Sequence, residues 1–349
     1  MKRVVFAVPG DLATPTGGYA YDRSIIAELR HIGWSVEVLD IGSDFPRPSA
    51  RTLKEAGARL ARVPADLPIV IDGLAFGAMP ELAAELARAH PLIALVHHPL
   101  ALETGLSAGE ADRFRESERA ALATASGVIV TSPSTARLLA ADYRVASEDI
   151  AVVLPGNERR APTRGSSDGV AALLAVGSLV PRKGYDVLVA ALGGLRDLSW
   201  RLTIAGDRSR DAATPRRLET EIRRLDLVDR IKVLGAVSEQ RLAELYTEAD
   251  LFVLASRFEG YGIAFAEAIA HGLPVIGTTA GAIPDTVPVQ AGLLVPPDDA
   301  DALARALRQV IAHPEERRRL AAGARAAAAR LPTWRQSAVQ FAQAIEAAR

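Results

Sequence analysis

Short runs of β-branched and other apolar residues alternate with stretches of helical period along almost the whole chain. That alternation breaks once and then restarts. A parallel sheet covered by helices is the arrangement that satisfies it, because strands buried on both faces read as continuous apolar runs. In the first run, strands are predicted at Arg3–Val8, Ser35–Leu39, Ile69–Ile71, Leu92–Val96, Gly127–Thr131 and Ile150–Val153. Helices fit at about Gly18–His31, Pro80–Ala89, Ala108–Ala125 and Ser134–Ala141. The break, Asn157–Gly169, has no apolar period and is rich in Pro, Gly, Ser and Arg, the composition of a linker. After it, strands are predicted at Ala171–Val176, Arg201–Ile204, Ile231–Leu234, Leu251–Leu254, Pro274–Gly277 and Gly292–Val295. Helices are predicted at Lys183–Leu192, Pro215–Leu225, Glu239–Thr247, Gly262–Ala270 and Ala300–Ile311, then an Ala/Arg-rich tail broken at Pro332. The expected fold class is therefore α/β, two Rossmann-like doubly wound domains facing across a cleft. They take residues 1–160 and 170–330, and a tail helix spans 333–349.

The length of 349 residues, about twice a comfortable single domain, agrees with two units. Lys and Arg number 41 against 42 Asp and Glu, so no global field draws the chain to nucleic acid. Cysteine is absent, which removes disulfides, thiolate nucleophiles and Cys-ligated metal centres together. The opening Val4–Val8 run is too short for a signal core, and no uncharged stretch reaches the roughly 20 residues that cross a bilayer. A cytoplasmic address fits. The amphipathic stretch Ser49–Val63, with Leu53, Ala56 and Leu60 on one side, reads as a solvated surface helix or as a weak peripheral contact with the inner face of a membrane.

Four segments could carry chemistry. Gly17 and Gly18 follow the first strand and open a helix, where backbone N–H groups and the helix dipole suit a phosphate. The spacing matches neither Gly-x-Gly-x-x-Gly nor a P-loop, and a plain tight turn explains it as well. His97 sits just past a strand, where ligands of open α/β sheets bind; a hydrogen-bonded loop histidine is the bland alternative. Neighbouring His97 and His98 point opposite ways on extended chain, which argues against a zinc pair. In Gly177-Ser178-Leu179-Val180-Pro181-Arg182-Lys183-Gly184, two adjacent cations oppose a helix dipole, a poor choice for stability and a good one for a diphosphate. Lys183 is one of only four lysines in an arginine-rich chain. Finally, Glu259 precedes a helix in a glycine-bearing loop and Glu267 lies eight residues on. One carboxylate could hold a ribose while the other addresses a sugar, and the N–H groups of Gly260, Tyr261, Gly262 and Ile263 could take phosphate oxygens. Asp298, Asp299 and Asp301 directly precede a helix and read as its start, so no metal site is assigned.

Together these segments resemble the family 4 retaining glycosyltransferases of the GT-B fold, often called group 1. The likeness is best over Leu173–Leu307, through the Pro-Arg-Lys-Gly turn, Ile204-Ala205-Gly206-Asp207, Val233–Val237, Ala249–Leu254, the two glutamates, His271–Val275 and Gly292–Pro297. The first half matches more loosely, at Thr16-Gly17-Gly18, His97 and Val152–Asn157. The resemblance implies a retaining, metal-independent hexosyltransferase without a cofactor, using a UDP-, GDP- or ADP-sugar. By matching position, Arg182 and Lys183 would neutralise the diphosphate, Glu267 would bind the ribose and Glu259 the transferred sugar. Gly206, Asp207, Leu234 and Ala236 would flank the base. Gly17 and Gly18 would close over the phosphate, with His97 near the anomeric centre. Front-side attack, with the leaving phosphate taking the acceptor's proton, is the family's usual proposal. Ser178 stands after Gly177 where the family often has Arg, which puts one phosphate or sugar contact in question. A nucleotide-sugar epimerase, an inverting transferase and a non-catalytic nucleotide-sugar-binding protein are the alternatives. The sequence names no acceptor, base or sugar.

Overall fold

The computed structural model describes residues 2–14, 16–103, 105–158, 160–166 and 168–348. Pro15 of the first turn, Thr104, and Arg159 and Ser167 of the expected linker lie outside the described residues, as do both terminal residues. The chain divides into two units, Met1–Gly156 with Pro332–Arg349, and Asn157–Leu331. Among the described residues no helix is long and apolar enough to cross a membrane.

In the first unit, β1 (Arg3–Val8), β2 (Ser35–Asp40), β3 (Ile69–Asp72), β4 (Leu92–Val96), β5 (Gly127–Val130) and β6 (Ile150–Val152) form one sheet. Its order is β2-β1-β3-β4-β5-β6 and every pair is parallel. Alternate side chains feed two cores. Val4, Phe6 and Val8 join Ile93 and Leu95 on one face, and Val5 and Ala7 join Ala94 and Val96 on the other. The first face is covered by the helices Gly17–His31 and Trp334–Ala347. Thr333 and Gln336 form a capping box that starts the second of these just past Pro332. Phe341 then stacks on Phe6 at 5.9 Å and Trp334 meets Tyr21 edge-on. Truncating a buried Phe of this kind costs about 3–5 kcal/mol. On the opposite face the helix Ala50–Leu60 turns Ala56 and Leu60, with Leu53 beside them, into the core. The apolar side of the amphipathic stretch is thus used inside its own unit.

The second unit is a sheet of β7 (Ala171–Val176), β8 (Trp200–Ala205), β9 (Ile231–Gly235), β10 (Leu251–Val253), β11 (Val275–Thr278) and β12 (Gly292–Val295). Its parallel order is β12-β11-β10-β7-β8-β9. Both sheets are doubly wound, but they reverse direction differently. The first switches between β1 and β3, the second between β7 and β10. In either case the crevice beyond the strands' carboxyl ends at the switch is where an open α/β sheet takes its ligand.

Local details differ from expectation. The helix predicted from Lys183 begins at Tyr185, because Pro181–Lys183 makes a separate 3-10 turn closed by Gly184 in the left-handed region, φ 64°. A Cβ there would stand 1.9 Å from the Ala255 carbonyl oxygen, so only glycine fits. A four-residue helix, Gly73–Phe76, follows β3 under an Asp72 cap and is too short to show a period. Asp299 caps the helix Ala300–Ala312, in keeping with its reading as a helix start.

Candidate functional site

A buried charge cluster of the second unit lies at its switch point. Gly177 follows β7, and its carbonyl accepts from the Tyr185 hydroxyl at 2.6 Å. Gly206 follows β8, where a Cβ would meet the Gly177 oxygen at 1.8 Å, so two backbone turns touch directly. Leu179 N–H donates to the Asp207 carbonyl and Gly206 N–H to that of Gly235, joining the ends of β7, β8 and β9 into one platform. On it, the 3-10 turn presents Arg182 and Lys183 to the loop after β10. Lys183 Nζ lies 2.7 Å from Glu259 Oε1, and Arg182 Nη1 donates to Glu259 Oε2 at 3.3 Å and to the Phe258 carbonyl at 2.8 Å. The Ser256 hydroxyl donates to Glu259 Oε1 at 2.6 Å.

The electrostatics follow from that count. Burial alone would push the Glu259 carboxyl up, but Lys183 and then Arg182 outweigh it and hold it below the ordinary carboxylate range. Two cations against one carboxylate leave the cluster with a surplus positive charge beside partly buried surface. Arg257 braces the same turn. Its guanidinium bonds Asp186 and Asp298, and its N–H donates to the Arg182 carbonyl at 2.7 Å.

The remaining expected residues of this unit divide. Gly262 precedes the helix Ile263–Ala270 with no side-chain cap, which leaves the first turn suited to an anion. Tyr261 is buried, its hydroxyl pushed up to about 12 by burial against a hydrogen bond with Asn157. Ser178, Leu234 and Ala236 border the platform, and Asp207 is held low by the N–H and hydroxyl of Ser209. Glu267 stands apart from the Glu259 cluster. Its Oε2 accepts from the Tyr246 hydroxyl at 2.9 Å, and burial raises its pKa despite that bond. Tyr246 in turn stacks flat on His271, 5.1 Å between centroids. Arg182, Lys183 and Glu259 thus converge, while Glu267 has its own support.

In the first unit, Gly17 and Gly18 open the helix Gly17–His31 behind a Thr16 cap, whose hydroxyl accepts from Tyr19 N–H at 3.0 Å. A Cβ on Gly18 would come within 3.1 Å of the His97 ring. His97 Nε2 lies 3.1 Å from Asp22 Oδ1 and 3.7 Å from Asp72 Oδ2, while the neighbouring His98 pairs with Glu103. Sequence reasoning gave no role to Asp22, Asp72, Tyr246, Ser256 or Arg257. Ser256 and Arg257 stand at the start of the segment that holds the two glutamates and could have been assigned there. Asp22 and Asp72 carry no local signal, since the fold alone brings them to His97.

The sequence model of the family described as "Glycosyl transferases group 1" matches residues 158–327. The MMP alpha-(1->4)-mannosyltransferase of Mycolicibacterium hassiacum is 26% identical over 321 residues, 87% of this chain and 76% of that one. Other curated relatives match over 38% to 64% of their own lengths. Among solved structures, sucrose-phosphate synthase from Thermosynechococcus elongatus superposes with a TM-score of 0.83 at 24% identity, covering 98% of both chains. The Anabaena protein Alr3699/HepE in complex with UDP-glucose gives 0.78 at 18% identity, over 99% of this chain and 100% of that one.

Proposed function

Because this chain belongs to the group 1 glycosyltransferases of GT-B fold, we propose that it transfers a hexose from a nucleoside-diphosphate sugar, retaining anomeric configuration and needing no metal. The observation that carries the reading is the cluster of Arg182, Lys183 and Glu259 at the β7/β10 switch point. Departure of a nucleoside diphosphate builds negative charge, and prepositioned cations stabilise such charge where it develops. Arg182 and Lys183 supply two, which is the task a divalent ion performs in other phosphate sites. In this reading Glu259 holds the cations in place until the donor arrives and then accepts hydroxyls of the transferred sugar. The first turn of the helix Ile263–Ala270 takes phosphate oxygens, and Glu267, aimed by Tyr246, takes the ribose hydroxyls. The platform of Gly206, Asp207, Leu234 and Ala236 borders the base. Gly17, Gly18 and His97 are proposed as further contributors to transfer, and the leaving phosphate receives the acceptor's proton. A hexosyl donor is supported by the mannosyltransferase relative and by the neighbour solved with UDP-glucose.

The test is a thermal-shift series with UDP, GDP and ADP, followed by transfer from the matching sugars with the product's anomeric configuration read by NMR. One nucleotide at about 100-fold its Kd adds about 2.7 kcal/mol of stability. Glu267→Ala is expected to weaken that binding. Failure of every nucleotide to shift the melt, or an inverted product, would sink the reading.

A further inference from the structure

The carboxyl edge of the first sheet carries a second buried cluster. Asp72 ends β3, His97 follows β4, and Asp22 enters from the helix Gly17–His31, with a ring nitrogen of His97 and one carboxylate oxygen of each aspartate all within 4.8 Å of one another. Asp22 is fully buried and Asp72 nearly so, while the His97 side chain remains 19% exposed. Tyr21 packs edge-on against the ring at 5.4 Å and spends its hydroxyl on the Val153 carbonyl. Thr131 donates to the His97 carbonyl, and His98 beside it is paired with Glu103. Among the described residues, the titratable side chains packed around the imidazole are therefore Asp22 and Tyr21 from the helix and Asp72 from β3.

The hydrogen bonds leave one gap. Asp22 Oδ1 meets His97 Nε2, and Asp72 Oδ1 accepts from Leu74 N–H at 2.8 Å. Asp22 Oδ2 is buried with no donor among the described residues, although the Asp72 carboxyl lies within hydrogen-bonding reach of Asp22. Two ionised carboxylates and one imidazolium would also leave an uncompensated negative charge out of water. A single proton between the two carboxyls removes both defects. It gives the orphaned oxygen a donor and brings the cluster to neutrality.

We propose that Asp22 and Asp72 are positioning residues with unlike roles: Asp72 carries a proton and donates it to Asp22, and the Asp22 carboxylate holds His97 as an imidazolium through Nε2. His97 Nδ1–H is then the ring donor left for a ligand oxygen. No covalent bond forms or breaks, and the cluster stores one proton on Asp72 and two on the ring. Burial pushes the Asp72 carboxyl up to about 7, with the charge of Asp22 behind it. Burial of the His97 ring opposes its charge, yet Asp22 and Asp72 together raise its pKa. The bearing of this cluster on glycosyl transfer rests on the reading above. Its proton arrangement does not.

Nitrogen-15 NMR of the histidine-labelled full chain tests the arrangement, with the His97 signals identified by their loss in His97→Gln. The wild type is expected to keep a charged His97 beyond the ordinary histidine range, and to retain the proton on Nε2 once neutral. Asp22→Asn should lower the His97 midpoint by about one pH unit or more. Asp72→Asn should move it by less than about half a unit, because an amide N–H replaces the acid's O–H toward Asp22. If Asp22→Asn does not fold, the wild-type tautomer and the Asp72→Asn titration decide alone. Equal shifts in both variants, a neutral His97 protonated on Nδ1, or His97 signals that move on adding Mg²⁺, Mn²⁺ or Zn²⁺ and return with EDTA would overturn the proposal. In transfer assays Asp22→Asn should lower kcat about tenfold or more while donor KM moves less than about threefold. Loss of transfer in every form, with the NMR pattern intact, would instead count against the function and leave the cluster standing.

Discussion

The two units solve one problem, a charged cluster at the switch point of a parallel sheet, with opposite balances. In the second, two cations share one carboxylate, and Glu259 is held below the ordinary carboxylate range. In the first, two carboxylates share one imidazole, and Asp72 is pushed up to about 7. Burial raises a carboxyl in both places, so the difference comes from the sign of the neighbours. The second cluster keeps a positive surplus to offer an anion, whereas the first reaches neutrality by keeping a proton. Strand order reinforces the contrast. With β7 at the centre of its sheet, the β7 and β10 loops face each other, and short contiguous segments supply most of the charged group. With β1 between β2 and β3, the first cluster is assembled from three segments far apart in the chain.

Lys183→Ala gives the largest test of this contrast. It removes the nearest cation from Glu259 and one of the two charges proposed to meet a leaving diphosphate. Transfer should fall about 100- to 1,000-fold, the range for losing one preorganised electrostatic partner. Wild-type turnover in that variant would erase the distinction between a ligand-directed cluster and a self-neutralised one. Gly184→Ala attacks the same cluster through the backbone. Its Cβ would strike the Ala255 carbonyl, so stability should drop by about 2–3 kcal/mol in a denaturant melt of the whole chain. An unperturbed melt would show that the turn relaxes freely and that its shape does not hold the cations.

How much of this could be read before folding follows the same division. Strand positions were readable from apolar runs such as Val4–Val8 and Ala171–Ala175, which are buried in their sheets, and helix positions from their period. Arg182, Lys183 and Glu259 stood out because each is anomalous in place, cations at a helix start and an acid among glycines. The mutual pairing of those three was not readable, since 76 residues separate Lys183 from Glu259. Asp22 looked like any polar residue early in an amphipathic helix, and Asp72 like the end of a strand. Their meaning appears only when β3, β4 and the helix Gly17–His31 set them against His97. The start of the helix at Tyr185 was hidden for a smaller reason, the left-handed backbone of Gly184.

Opposite balances also predict opposite pH slopes. Glu259 has a lowered folded pKa, so its contribution is present above the usual carboxylate pKa and disappears as pH falls through the folded value. Asp72 has a raised one. Its contribution is complete below the unfolded pKa near 4 and is lost as pH rises through about 7, and the raised His97 acts in the same direction. Within that interval Asp72 should subtract up to about 1.4 kcal/mol per pH unit. Glu118, buried in the same unit and pushed up to about 8, adds to the decline. Urea melts of wild type and Asp72→Asn between pH 5 and pH 8 measure the difference. The variant should show a shallower loss of stability, and parallel curves would mean that Asp72 is already ionised.

The smallest effect isolates Glu267, the carboxylate that stands outside both clusters. Tyr246 donates to it at 2.9 Å and is itself packed flat on His271, so Tyr246→Phe removes that bond and the longer contact with the Ala264 carbonyl, with little change of volume. Burial already raises the Glu267 pKa, and the tyrosine hydroxyl is the first influence opposing it. Without that donor more of the carboxyl is protonated at a given pH, and a protonated acid is the poorer acceptor for two ribose hydroxyls. Nucleotide affinity should therefore weaken about threefold to tenfold by calorimetry, the equivalent of about 1 kcal/mol. The loss should be larger at pH 6 than at pH 8, because the added proton is what weakens binding. A pH-independent loss would assign Tyr246 to packing alone, and unchanged affinity would remove Glu267 from the nucleotide site.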